Sequence, residues 1–337
     1  MRMKPVASAL LAFLIMPLSA HAEEEVNIYS YRQAFLLEPL LNAFTEDTGI
    51  KTNVVFAKNG LAERLAREGR NSPADLVMTV DISRLNELVE KDLTASVNND
   101  TLTANIPAHL RHPEGKWFAL TTRGRMIYTS KERVAEGELT TYEQLADNKW
   151  DDRICTRSGK HPYNIALIAS MIAHHGEADT ETWLQGVKDN LARRPQGGDR
   201  DQIKAIAEGV CDVALGNSYY YGNMLEDENQ RPAAEKVRMV FPNSDGRGTH
   251  INISGIALTK SAPNRDNALK LMTYLSESKA QHIYAEANTE YPANPKVEVT
   301  GVVASWGELK PDTLSLQTIA NNREAAVRMV DRVGYDN

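Results

Sequence analysis

No HExxH pair, no GxSxG elbow and no phosphate-binding glycine loop occurs in this chain, so the common signatures of zinc proteases, serine hydrolases and P-loop enzymes are missing. No nucleophile stands beside a recognisable base either. Basic charge is in deficit, with 38 Lys and Arg against 45 Asp and Glu. A net acidic surface argues against nucleic acid and anionic lipid as partners, and mildly favours a cationic ligand. Long apolar runs are absent beyond the N-terminus. The run from Ala7 to Leu18 is too short to span a bilayer, and no later segment approaches one. Cysteine is scarce, with Cys155 and Cys211 as the whole complement. No internal repeat and no low-complexity segment breaks the chain.

The N-terminal run has another reading. Arg2 and Lys4 precede it, and Ala20-His21-Ala22 follows it just ahead of Glu23-Glu24-Glu25. A basic start, an apolar stretch and an A-x-A site make a cleavable secretory signal over residues 1–22. No cysteine stands at the cleavage site, which argues against a lipid anchor. Cleavage of 22 residues from 337 leaves 315, and the loss of two basic residues takes the formal charge from −7 to −9. That length suits two domains. In an exported chain an even cysteine pair reads as a candidate disulfide, Cys155 to Cys211, set against two buried free thiols as the alternative.

Along the mature chain, strand and helix patterns alternate. Residues 26–30 read as a strand and Tyr31-Arg32-Gln33 as a turn. Helical spacing covers 35–44, with Gly49 placed for a left-handed cap. Strands at 51–56 and 74–79 alternate with helices at 61–68 and 82–91. This is the pattern of a parallel, doubly wound α/β sheet. A second α/β unit begins near Arg123, with strands at 123–128, 153–156 and 211–215. Its helices cover 163–174, 180–191 and 199–208. A strand at 252–258 leads back towards the first unit, followed by helices at 264–277 and 279–287, and terminal helices lie within 314–333. Two lobes joined by two chain crossings imply a hinged clamshell with its ligand between the lobes. The expected partition is residues 23–122 with 252–300 in the N-terminal lobe, and 123–251 with 301–337 in the C-terminal lobe.

The chemistry concentrates at Asn217-Ser218-Tyr219-Tyr220-Tyr221-Gly222. A phenol titrates near pKa ~10 and is a poor base or nucleophile at neutral pH. A hard, highly charged cation changes that by displacing the proton. Neighbouring tyrosines converge only where a strand turns into a helix, because side chains alternate on a strand and lie ~100° apart on a helix. Ser218 is the expected N-cap of such a helix. Tyr163 stands in the same context, directly after Pro162, where proline opens a helix. Three phenolates carry charge −3, which balances ferric ion and leaves coordination positions for an anion or water.

The chain resembles the periplasmic ferric-ion-binding proteins, the solute receptors of iron(III) ABC importers. The likeness rests on Ile28-Tyr29-Ser30-Tyr31-Arg32, Asn71-Ser72-Pro73-Ala74-Asp75, Cys155-Thr156-Arg157-Ser158 through Tyr163-Asn164, Arg194-Pro195-Gln196-Gly197 and Asn217-Ser218-Tyr219-Tyr220. These segments cover nearly the whole mature chain. The resemblance implies a two-lobe periplasmic-binding-protein fold of the class II type. It also implies iron ligation by Tyr163, Tyr219 and Tyr220, with Tyr221 turned to packing, and delivery of iron by a monomer to an inner-membrane permease. Several relatives carry a His-Tyr pair where this chain has Gln33-Ala34. By resemblance to members without that pair, carbonate fills the open positions. Arg32 is its expected anchor, because a guanidinium pairs bidentately with planar oxyanions. Gln33 and Arg123 are further candidates.

Other residues read as structure. His174-His175 ends a helix, His161 precedes one, and His250 and His282 have no partners at ligand spacing. Met78 and Met126 read as core, and Glu290 and Tyr291 as turn residues near the cleft. Two competing functions remain open at this point. One is a small organic or anionic nutrient bound in the same cleft with Tyr219 and Tyr220 as its walls; the other is a periplasmic enzyme.

Overall fold

The computed structural model describes residues 24–34 and 37–337. The leader expected over 1–22 lies outside them, as does the start of the helix expected from residue 35. The first lobe begins as the alternation demands. Strands β1 (Glu25–Ser30), β2 (Lys51–Phe56) and β3 (Leu76–Thr79) lie parallel, with β1 between the other two. Helix Glu38–Thr48 ends at Gly49, which takes φ 76° as its left-handed cap. Helix Ile82–Glu90 starts under Asp81, whose carboxylate accepts from the Arg84 amide.

A purely parallel sheet is not what forms. The strand expected at 123–128 is the second half of a longer one, β4 (Phe118–Ser130). Its first half pairs antiparallel with β8 (Ile251–Leu258), and β8 pairs antiparallel with β3. Its second half pairs antiparallel with β6 (Val213–Asn217) and β7 (Val237–Val240). β5 (Ile154–Cys155) lies parallel to β6, and β9 (Tyr291–Pro292) pairs with β4. The order is therefore β2-β1-β3-β8-β4-β6-β5. A strand that leaves one wound sheet for the next runs against its neighbours, so the crossing strands supply the antiparallel pairs. Every residue of β4 and β8 is buried, as expected for strands covered on both faces. The boundaries expected from sequence fall inside β4, one residue into β8, and at helix Gly301–Ala304.

Helix Pro162–Asp189 is two helices joined at Gly176, whose φ of 79° and ψ of 169° interrupt the helical backbone. Its first half buries Ile165, Ile168, Ala169 and Ile172 in the main core, and its second half buries Trp183, Leu184 and Val187. Helix Arg323–Val333 packs along it. A second, smaller core lies beneath the tyrosine run and contains Met126, Tyr128, Ile203, Ile206, Ala214, Tyr221 and Met224. Cys155 and Cys211 are bonded to each other in the same cluster, tying the segment before β6 to β5. Both methionines read as core are buried, Met78 at 1% and Met126 at 0% exposure.

Candidate metal centre

β6 delivers the tyrosines. Its last residue, Asn217, keeps an extended backbone and caps helix Ser218–Glu226. The expected Ser218 cap does not form. Ser218 is the first helical residue, and its Oγ is buried without a hydrogen-bond partner. The cap position is fixed from below, where the Asn217 amide donates to Asp199 Oδ2 at 2.8 Å and Tyr128 donates to the Asn217 carbonyl at 2.7 Å. On the helix, Tyr219 and Tyr220 hold their ring centroids 4.2 Å apart. Tyr221 is turned the other way by the helical repeat, and its hydroxyl donates to the Val237 carbonyl at 3.1 Å.

Tyr163 comes from a second helix start. The His161 side chain accepts from the Tyr163 amide, Pro162 occupies the first turn, and the two rings sit edge-on at 4.5 Å. The Tyr163 and Tyr219 hydroxyls lie 3.2 Å apart. Two helix N-termini thus bring two phenols within hydrogen-bond reach and a third ring against them. Both ends also direct positive dipole character at this point.

Burial pushes the Tyr219 phenol well above its ordinary value, and the neighbouring Tyr163 and Tyr220 add to the rise; Arg123 opposes it. Burial also raises Tyr220, with Tyr163 contributing. Three guanidinium groups surround these rings. Arg157 lies 5.3 Å and Arg125 5.9 Å from the Tyr163 ring centre, and Arg200 lies 5.4 Å from that of Tyr220. Fully buried Asp199 joins the first two, accepting from Arg125 at 2.7 Å and Arg157 at 3.0 Å. Arg125 also donates to Asn164 and Asn217. Sequence reasoning missed Arg125 and Asp199. The one signal was their charge inside otherwise strand- and helix-like patterns. No group of three or more His, Cys, Asp or Glu placed to hold a metal exists among the described residues.

The candidate anion residues are placed differently. The Arg32 guanidinium is buried, donates to Ser254 at 2.7 Å and to Asn288, and pairs with Glu290 at 3.1 Å. Its Nε is buried without a partner. Arg123 donates to Ser254 at 3.1 Å and to the Val80 carbonyl. Gln33 is exposed. Burial pushes the Glu290 carboxyl up, but Arg32, Arg123 and the Thr121 hydroxyl outweigh it and hold the group below its usual range. The Tyr31 hydroxyl accepts from the Ala62 amide at 3.1 Å. His174 contacts Asp312 at 2.6 Å, His175 contacts Glu143 at 2.8 Å, and His282 sits 3.4 Å from Glu286.

A family model described as bacterial extracellular solute-binding protein matches residues 40–311. Iron uptake protein A1 of Synechocystis is 42% identical over 93% of this chain and 88% of its own length. The ferric iron-binding protein A of Mannheimia haemolytica, in an open conformation, is 51% identical with a TM-score of 0.90, covering 93% of this chain and 99% of that one. A Trichodesmium protein in complex with iron and citrate ligands is 41% identical, also at TM-score 0.90, over 92% and 99%.

Proposed function

The chain belongs to the bacterial extracellular solute-binding proteins, and we propose that it captures ferric ion in the periplasm and hands it to an ABC permease. The observation that carries this reading is the 3.2 Å approach of the Tyr163 and Tyr219 hydroxyls, with the Tyr220 ring 4.2 Å from that of Tyr219. Aromatic rings that serve only as the walls of an organic-ligand pocket have no need to bring two hydroxyls together. Three phenolates offer hard anionic oxygen and balance a trivalent cation, whereas His, Cys and carboxylate clusters are missing from the described residues. The names of close relatives, iron uptake and ferric iron-binding proteins, support the same cargo.

In this reading Tyr163, Tyr219 and Tyr220 are the ligands. Carbonate completes the coordination, with Arg32, Gln33 and Arg123 as its proposed contacts. Burial keeps the Tyr219 and Tyr220 phenols protonated in the absence of a cation, so iron uptake releases protons. Acidification reverses the reaction, and reduction to ferrous ion removes the charge match. Iron is then released to the permease without any bond-making catalysis, so the protein is a carrier; it acts as a monomer, because it must present both lobes to one transporter.

The test is the visible spectrum of mature protein loaded with iron and bicarbonate, beside a Tyr219→Phe, Tyr220→Phe variant. A phenolate-to-iron charge-transfer band that the variant loses is the expected result. A colourless protein that takes up no iron overturns the reading and shifts it to an organic or anionic ligand in the same cleft.

A further inference from the structure

Thr289 occupies a backbone conformation that its side chain disfavours. It ends helix Ser278–Asn288 at φ 54° and ψ 40°, in the left-handed region. Gly49 and Gly334, which cap two other helices in that conformation, are both glycine. The other non-glycine residues at positive φ among those described are Asp92, Asp152 and Asn243, residue types that tolerate it. A β-branched residue there is an outlier. Such strain persists where surrounding contacts demand it, and it concentrates at binding sites.

The contacts of Thr289 supply the demand. Its hydroxyl donates to Asn223 Oδ1 at 2.8 Å, and Asn223 lies on the tyrosine helix one turn beyond Tyr219 and Tyr220. Its γ-methyl seats against Gly222, where an added β-carbon would run into it and, at 2.6 Å, into the Trp306 indole. The residues on either side reach elsewhere: Asn288 and Glu290 both hold the Arg32 guanidinium. Three consecutive residues thus grip Arg32 at both ends and the tyrosine helix in the middle. Asn223 and Thr289 fall on opposite sides of the lobe partition proposed above.

We propose that Thr289 is a positioning residue for the metal site, a clasp that sets the tyrosine helix relative to the Arg32 cluster of the opposite lobe. It touches neither ligand nor cargo. The left-handed threonine is kept in place of glycine because only a side chain can reach Asn223 and Gly222. The proposal rests on the tyrosine helix being the ligand-bearing element, and its test separates the two ideas.

Four variants decide it: Thr289→Gly, Thr289→Ser, Asn223→Ala and the double variant Thr289→Gly, Asn223→Ala. Each is measured for thermal unfolding, for iron affinity by chelator competition, and for the small-angle scattering profile of the iron-free protein. Glycine relieves the backbone, so Thr289→Gly keeps a Tm at or near the wild-type value. It still loses iron affinity by about fivefold to tenfold, the scale of one net hydrogen bond, and its iron-free scattering broadens as the lobes separate. Asn223→Ala repeats this loss, the double variant is no worse than either single one, and Thr289→Ser retains near wild-type behaviour. Wild-type affinity and an unchanged scattering profile in Thr289→Gly overturn the clasp, as does a Thr289→Ser variant as impaired as the glycine. If the wild type itself takes up no iron, the proposed cargo is wrong, and the scattering profiles alone still decide the clasp.

Discussion

Replacing Glu290 by glutamine tests the charge balance beneath the cleft. The carboxylate is 2% exposed and accepts from Arg32 at 3.1 Å, from Ser254 at 3.4 Å and from Thr121. Glutamine has nearly the same shape but turns one acceptor into a donor and removes the negative charge. One face of the new amide then meets donors, and Arg32 is left buried without a counter-ion. Breaking a buried pair on one side costs about 3–5 kcal/mol. Because glutamine still accepts one of these hydrogen bonds, the lower end, about 3 kcal/mol, is expected at pH 7. The pH dependence carries a sign. A carboxyl held below its unfolded value of ~4.3 contributes stability that is fully present above that value. The contribution is lost as pH falls through the lower folded-state value. Urea unfolding from pH 7 to pH 3 should therefore show wild type and Glu290→Gln separated at neutral pH and converging below about pH 4. Parallel curves over the whole range, or a separation under about 1 kcal/mol at pH 7, would refute the assignment of Glu290 as the ionised partner of Arg32.

Removing the disulfide by Cys155→Ala with Cys211→Ala opens a loop with a sequence separation of 56. Chain entropy then puts the cost at about 4 kcal/mol, read as a lower denaturant midpoint for the second lobe; a change below about 1 kcal/mol would deny the bridge its role. His250 is fully buried and held neutral, lowered to about 3 by burial and then by Arg125 and Arg247. The unfolded chain protonates it near pH ~6.5, so stability should decline from there towards pH 3 at up to about 1.4 kcal/mol per pH unit; His250→Gln should flatten that slope in acid unfolding curves. A β-carbon on Gly216 would collide with the ring of Tyr128, which holds the Asn217 carbonyl. Gly216→Ala should cost about 1–3 kcal/mol by overpacking and weaken iron binding, whereas a fully stable variant would show that the ring moves aside freely.

Local elements and the chemistry at stake were legible before any fold was known. Pro162 and Gly176 mark the first half of a helix, Gly49 and Gly69 end two others, and alternating strand and helix patterns define the α/β class. The convergence of Tyr163, Tyr219 and Tyr220 was legible, because each stands in the first turn of a helix, and the cysteine pair was legible from compartment and parity. These features depend on short-range backbone preferences, which act over a few residues. Features that depend on residues far apart in the chain emerge only in the folded protein. The antiparallel path of β4 and β8 follows from which strands meet across the crossing. Arg125 meets Asp199 across 74 positions, and Arg32 meets Glu290 across 258. Nothing local announces that a charge in a strand-like run will be buried and matched. Ser218 shows the converse: its residue type favours a cap, yet the Asp199 contact to the Asn217 amide places the helix start one residue earlier. Thr289 belongs to the same class, since its left-handed backbone is set by what the tyrosine helix requires of it from 66 positions away. Local propensity is worth about a kcal/mol per residue, and a buried charge or a packed contact outweighs it wherever the two disagree.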